Sequence, residues 1–107
     1  MAQINLKFSP EMETLIMQGR KICTTRDEPK GQIGDTFIVE NRLYRIVCID
    51  ETDFDCVLPW YELEGFESED AFVDKLEEYY PGIESGDVLY LHWFAFVALI
   101  EGEWNDI

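Results

Sequence analysis

Ile4, Leu6 and Phe8 alternate with Asn5 and Lys7, a period of two that predicts a first strand. Ser9-Pro10-Glu11 then offers an N-cap hydroxyl, a proline for the first helical position and an early acid. Met12, Leu15 and Ile16 fall on one face of the helix so begun, and Gly19 ends it. Residues 22–26 enter a second strand, and Pro29-Lys30-Gly31 and Gly34-Asp35 read as turns. Residues 36–39 and 43–49 predict a hairpin closed by a tight turn around Asn41. Ser68-Glu69-Asp70 opens a second helix with Phe72, Val73, Leu76 and Tyr80 at helical spacing, stopped by Pro81-Gly82. Residues 88–100 are rich in β-branched and aromatic side chains and lack Gly and Pro, which predicts a long or bent strand largely buried on both faces. The sum is an α+β fold of four to six strands and two helices: a small, closed or nearly closed sheet with helices plugging its open ends.

The chain shows no repeat, low-complexity tract or linker, and residues 1–107 read as a single domain. At 47% hydrophobic and 14% aromatic residues it can bury a core without staples. Cys23, Cys48 and Cys56 are odd in number and form no Cys-x-x-Cys pair, which argues against a disulfide framework and a zinc ribbon. Reduced thiols and the lack of a signal-like start predict a cytoplasmic protein. The longest apolar stretch, 88–100, has 13 residues and contains His92, short of the roughly 20 that a membrane span needs.

Acidic residues outnumber basic ones 23 to 8, for a formal net charge of -15. Residues 50–87 hold fourteen acids and the single base Lys75, whereas seven of the eight bases precede residue 46. Such a surface repels long polyanions, because phosphate contacts need many Lys and Arg acting together. No cluster has metal-ligand spacing, and acids such as Asp53 and Asp55 read as solvated.

Three of the bases sit within Arg20-Lys21-Ile22-Cys23-Thr24-Thr25-Arg26, making this the place to hold a polar ligand. A lysine near a hydroxyl is one way to activate a nucleophile. On a regular strand Lys21 and Thr24 would face opposite sides, so a turn or bulge between them is required to bring both to one site. Arg26 is either a ligand contact or a buried partner of Asp27 or Asp35. Trp60, Tyr61 and Phe66 either stack on a nucleobase or join the core. His92, among Leu91, Trp93 and Phe94, reads as a hydrogen-bonded core histidine, and Cys23 as inert.

Gly19-Arg20-Lys21-Ile22-Cys23-Thr24-Thr25-Arg26-Asp27 resembles the signature of the ASCH domain, a PUA-like family in which a glycine is followed two residues later by lysine and seven later by arginine. Lys30, Gly34-Asp35, Glu64-Gly65-Phe66 and Tyr80-Pro81 extend the resemblance over nearly the whole chain. In length and in its Gly-Arg-Lys-x-x-Thr-x-Arg-Asp pattern the chain is most similar to small bacterial amidohydrolases that convert N4-acetylcytidine to cytidine and acetate. It departs from them at Ile22, in the spacing of residues 60–67 and in the acid-rich stretch 50–55.

The resemblance implies a small PUA-like β-barrel with two flanking helices, and hydrolysis without metal or cofactor. The catalytic residues it implies are Lys21, Thr24 and Glu64; Arg20, Arg26, Trp60 and Phe66 are the substrate-binding candidates. Thr24 would attack the acyl carbon, and Glu64 would carry a proton to the departing cytosine nitrogen. Lys21 would act either as a neutral amine that takes the threonine proton or as an ammonium that stabilises the oxyanion; flanking Arg20 and Arg26 favour the neutral form, whereas Glu64 and the overall charge favour the cation. The expected partner is a nucleoside-sized molecule, with RNA disfavoured by charge and no membrane. Two other readings are a PUA-like RNA-binding module without chemistry and an acidic module presenting residues 60–66 to a basic partner.

Overall fold

The structure, a computed structural model, describes residues 1–100; residues 101–107 of the single-domain assignment lie outside the described residues. Helix α1 (Pro10–Met17) begins where the Ser9 hydroxyl accepts the Met12 N–H, with proline in its first turn. It stops at Gly19, whose φ of 76° lets the Arg20 and Lys21 N–H groups fold back onto the Leu15 carbonyl. Strand β1 (Cys23–Arg26) follows directly. Strands β2 (Thr36–Val39) and β3 (Arg42–Asp53) form the expected hairpin, although β3 runs four residues beyond the predicted end.

Asp53 then caps a short helix α2 (Phe54–Val57) by accepting the Cys56 N–H, so this acid has a structural task rather than being merely solvated. A 3-10 turn (Leu58–Trp60) leads toward α3 (Glu69–Tyr79), which Ser68 caps through the Ala71 N–H. Strand β4 (Val88–Leu99) closes the described chain. Three helices are therefore present among the described residues, α2 being one that periodicity did not predict.

The four strands form one antiparallel sheet in the order β1-β4-β3-β2, curled into a half-barrel. Irregularities at Leu43/Tyr44 and Ile46/Cys48 in the β3–β4 ladder increase its bend. The predicted first strand does not form. Only Gln3 bridges, in parallel, to Thr36, and beyond it the chain leaves the sheet to place Leu6 and Phe8 against the core. The alternation there serves packing rather than ladder pairing.

Two hydrophobic clusters lie on opposite sides of the sheet, as the alternation of Leu91 and Phe94 along β4 requires. The first joins α1 to Phe37, Tyr44, Ile46 and Phe94, with Phe94 edge-on to both Phe37 and Tyr44. The second packs Phe72 and Leu76 of α3 on Cys23, Leu89 and Leu91. Burial on both sides holds for β4 from Leu89 to Phe94, whereas Phe96, Val97 and Leu99 run past the clusters and are exposed. Among the described residues no helix is long and apolar enough to cross a membrane.

Candidate active site

β1 lies at one edge of the sheet, and a cavity of about 470 Å³ opens beside it, walled by Phe8 and Met12 on one side and by Phe66, Phe72 and Leu76 on the other. Lys21, Thr24, Thr25, Arg26 and Glu64 supply the polar part of its wall. The three matched residues Lys21, Thr24 and Glu64 thus border one space. Lys21 lies in the bend before β1, so the odd spacing from Thr24 places no constraint on their sides.

Glu64 arrives from a turn beyond Trp60, in which the Glu64 N–H donates to the Trp60 carbonyl and the Phe66 N–H to that of Tyr61. Gly65, with φ of 97°, makes the reversal, and its Cα packs so close to Leu15 that an added Cβ would stand 2.8 Å from Leu15 Cδ1. The Lys21 and Glu64 side chains are 3% and 2% exposed and meet at 3.0 Å. Lys21 Nζ donates to Glu64 Oε1 at 3.0 Å, to the Glu64 carbonyl at 2.8 Å and to the Cys23 carbonyl at 2.9 Å. Three oxygen acceptors around one nitrogen match the three N–H donors of an ammonium, which favours the second of the two roles that the sequence leaves open.

The other carboxylate oxygen, Glu64 Oε2, accepts the Thr25 hydroxyl at 2.6 Å. Thr25 was not among the candidates, although two adjacent threonines on a strand necessarily put one hydroxyl on each face. Among the described residues the Thr24 hydroxyl has no hydrogen-bond partner, while its carbonyl faces His92 Nδ1 at 3.3 Å. The Lys30 N–H donates to His92 Nε2 at 2.9 Å, so the ring proton resides on Nδ1, directed at the carbonyls of Tyr90 and Thr24. Burial, first, and the charges of Arg26 and Lys30 hold this imidazole below its ordinary pKa of 6.5, against the two carbonyls. His92 is the hydrogen-bonded core residue that its neighbours in sequence suggested, and it ties the loop after β1 to the sheet beneath Thr24. Burial and then Glu64 push the Cys23 thiol well up, outweighing Lys21.

Arg26 pairs with neither Asp27 nor Asp35. Its Nη2 donates to the Lys7 carbonyl at 2.9 Å, its plane lies 5.1 Å from the Phe8 ring centre, and it reaches the cavity. Phe66 also lines the cavity, stacked on Phe72. Arg20 and Trp60 do not: Arg20 projects from the exposed bend after α1, and Trp60, 44% exposed, packs edge-on against Trp93. Lys7, Ser9, Lys75, Tyr79 and Tyr80 complete the lining, and none of them was a site candidate from the sequence. Lys75 carried a signal, being the one base among residues 50–87. Among the described residues no three His, Cys, Asp or Glu side chains gather as a metal site would need.

This arrangement, a curled antiparallel sheet with helices on both sides and a buried ion pair at its edge, defines a small α+β, PUA-like protein. The ASCH domain of Lactobacillus crispatus superposes with a TM-score of 0.61 at 17% identity, over 89% of this chain and 77% of that one. The ASCH protein of Zymomonas mobilis gives 0.63 at 15% identity, over 94% and 74%. A hypothetical protein, PH0355, gives 0.66 at 18% identity, over 90% and 98%. No family model and no curated protein matches the sequence. The chain has the ASCH-domain fold.

Proposed function

We propose that the protein is an amidohydrolase that removes the acyl group from N4-acetylcytidine or a related N4-acylated cytosine compound, releasing cytidine and acetate. The observation that carries this reading is the buried Lys21–Glu64 pair on the wall of a small-molecule-sized cavity that Thr24 also lines. The sequence pattern around Lys21 and Thr24 supports it independently.

In this reading the Thr24 oxygen attacks the acyl carbon, and its proton is relayed to the Glu64 carboxylate across the cavity that both residues line. With that proton on Glu64 the carboxyl is neutral, and the Lys21 ammonium it had balanced is left to stabilise the negative oxygen of the tetrahedral intermediate. The carbon–nitrogen bond then breaks as Glu64 returns the proton to the cytosine N4. Water hydrolyses the resulting threonine ester with the same carboxylate as base, liberating the acid and restoring the hydroxyl. Thr25 fixes the carboxylate's rotation by occupying Oε2.

The second reading, an RNA-binding module, is favoured by fold analogy alone. A net charge of -15 opposes it, since a strand needs several cations along a groove. Chromatography of N4-acetylcytidine incubated with the purified protein tests the proposal. Cytidine and acetate in equal amounts are expected; no turnover of any acylated cytosine, together with tight and salt-dependent RNA binding, would transfer the assignment to the RNA module.

A further inference from the structure

Four of the eight basic residues, Lys7, Lys21, Arg26 and Lys75, line the cavity, whereas of the acids among the described residues only Glu64 does. Glu64 neutralises Lys21, and the deacylation described above uses no other cation. Three positive charges therefore remain around one opening of a protein that is acidic almost everywhere else. A cavity with low-dielectric walls concentrates such a field, and solubility alone does not call for it.

The three come from separate elements: Lys7 from the segment before α1, Arg26 from the end of β1 and Lys75 from the middle of α3. Their exposure distinguishes them from the reacting pair, because Lys7 is exposed and Arg26 and Lys75 are half-buried while Lys21 and Glu64 are enclosed. The cavity thus has an ionic floor that is internally neutral and a cationic rim. Among the described residues Lys7 has no acid within ion-pair distance, and Arg26 directs one N–H to a carbonyl, leaving the rest of its fork unassigned. Asp27 adjoins Arg26 in sequence, but the Arg26 side chain makes no ion pair with it. Lys75 contacts Glu78 at 3.2 Å one helical turn away, an exposed pair of the kind that holds weakly and exchanges readily for a ligand.

We propose that the acylated cytosine enters as a nucleoside monophosphate, its phosphate held at the rim by Lys7, Arg26 and Lys75 while the acylated base reaches Lys21, Thr24 and Glu64. This rests on the hydrolase reading and refines its substrate class. A phosphate monoester brings close to two negative charges and three acceptor oxygens, matching a rim of three donors from three directions. A free nucleoside leaves that rim unanswered. A polynucleotide would carry the same chemistry on a strand and meet the surrounding acids.

The test separates binding from turnover. Calorimetric titration of the whole protein with cytidine 5'-monophosphate, cytidine, inorganic phosphate and an oligocytidylate is followed by kcat/KM for N4-acetylcytidine with and without a 5'-phosphate. The monophosphate should bind at least about tenfold tighter than cytidine at low salt, and the phosphorylated substrate should lead by a similar ratio. Both ratios should fall toward one with added salt and in the Lys7→Met, Lys75→Met double variant, with circular dichroism confirming its fold. Equal affinity for cytidine and its monophosphate, in a protein that deacylates N4-acetylcytidine, overturns the phosphate subsite and leaves the hydrolase. Inorganic phosphate binding as tightly as the monophosphate, or oligocytidylate binding more tightly than it, also overturns the subsite. A preference for the monophosphate without turnover of any acylated cytosine removes the hydrolase reading and the proposed substrate with it.

Discussion

Glu64 and Lys21 stand 43 residues apart in the chain and meet at 3.0 Å with both side chains enclosed. The pair joins the turn before α3 to the bend after α1, so it is both a catalytic candidate and a tertiary fastener. Removing one member strands the other charge away from water. Lys21→Met is expected to lower unfolding free energy by about 3–5 kcal/mol. The double variant with Glu64→Gln should lose less than the two single losses combined, as urea denaturation of all three would show; simple additivity would mean that the contact carries no coupling.

The two threonines should separate by phenotype. Thr24→Ala is expected to remove nearly all deacylation while leaving the circular dichroism spectrum unchanged, and Thr24→Ser to retain part of it. Thr25→Val keeps the proposed nucleophile but takes the donor from Glu64 Oε2, so kcat should fall by about ten- to a hundredfold and stability by about 1–3 kcal/mol. Should Thr25→Val abolish turnover while Thr24→Ala leaves it intact, the roles of the two hydroxyls are exchanged.

Acid should weaken the fold in two stages. His92 is held neutral, with its pKa depressed mainly by burial, so the unfolded chain takes up the proton first. Its contribution is complete above pH 6.5 and declines as the pH falls from there toward the lower folded value. The Asp35 carboxylate, kept below its ordinary 3.8 by accepting the Ala2 and then the Gln32 N–H, adds a later loss as the pH falls below that value. Urea midpoints measured from pH 8 to about 2 should decline first below 6.5 and again below 3.8, and His92→Gln should flatten the first stage. A wild-type profile unchanged between pH 7 and 5 contradicts the assignment.

Gly65→Ala tests how the turn presents Glu64. At φ of 97° any side chain is strained, and the new Cβ would also press on Leu15. A loss of about 1–2 kcal/mol is expected from the backbone alone. Because Gly65 touches no proposed substrate atom, a fall in kcat beyond the loss of folded protein would report displacement of the adjacent carboxylate; unchanged stability and kcat would mean that the turn absorbs the methyl group.

The helix caps at Ser9 and Ser68, the 36–49 hairpin and the burial of residues 89–94 were legible because each follows from local chemistry or a regular period. The first strand was not, since Ile4, Leu6 and Phe8 alternate as a strand does whether the chain pairs or merely packs. Residues 50–53 carry no apolar face, and they become strand because residues 88–91 pair with them. At the site, the motif picked out Lys21, Thr24 and Glu64, which do border one cavity. Thr25, Lys7 and Lys75 escaped notice because their relevance depends on which sheet face and which side of α3 meet there. Trp60 appeared suited to stacking on a base, yet Trp93 across the fold occupies it.

The position of β1 at the sheet's margin has a consequence for self-association. A bare edge strand invites another extended chain to add to it. Here the Cys23 carbonyl is taken by the Lys21 ammonium and the Ile22 N–H by the Leu63 carbonyl, so an incoming strand must first dismantle an enclosed ion pair. At the opposite margin the Gln3 bridge to Thr36 covers the start of β2. The same lysine and glutamate proposed for chemistry therefore guard the sheet against templating its own aggregation, and replacing either of them uncovers that edge as well as the site.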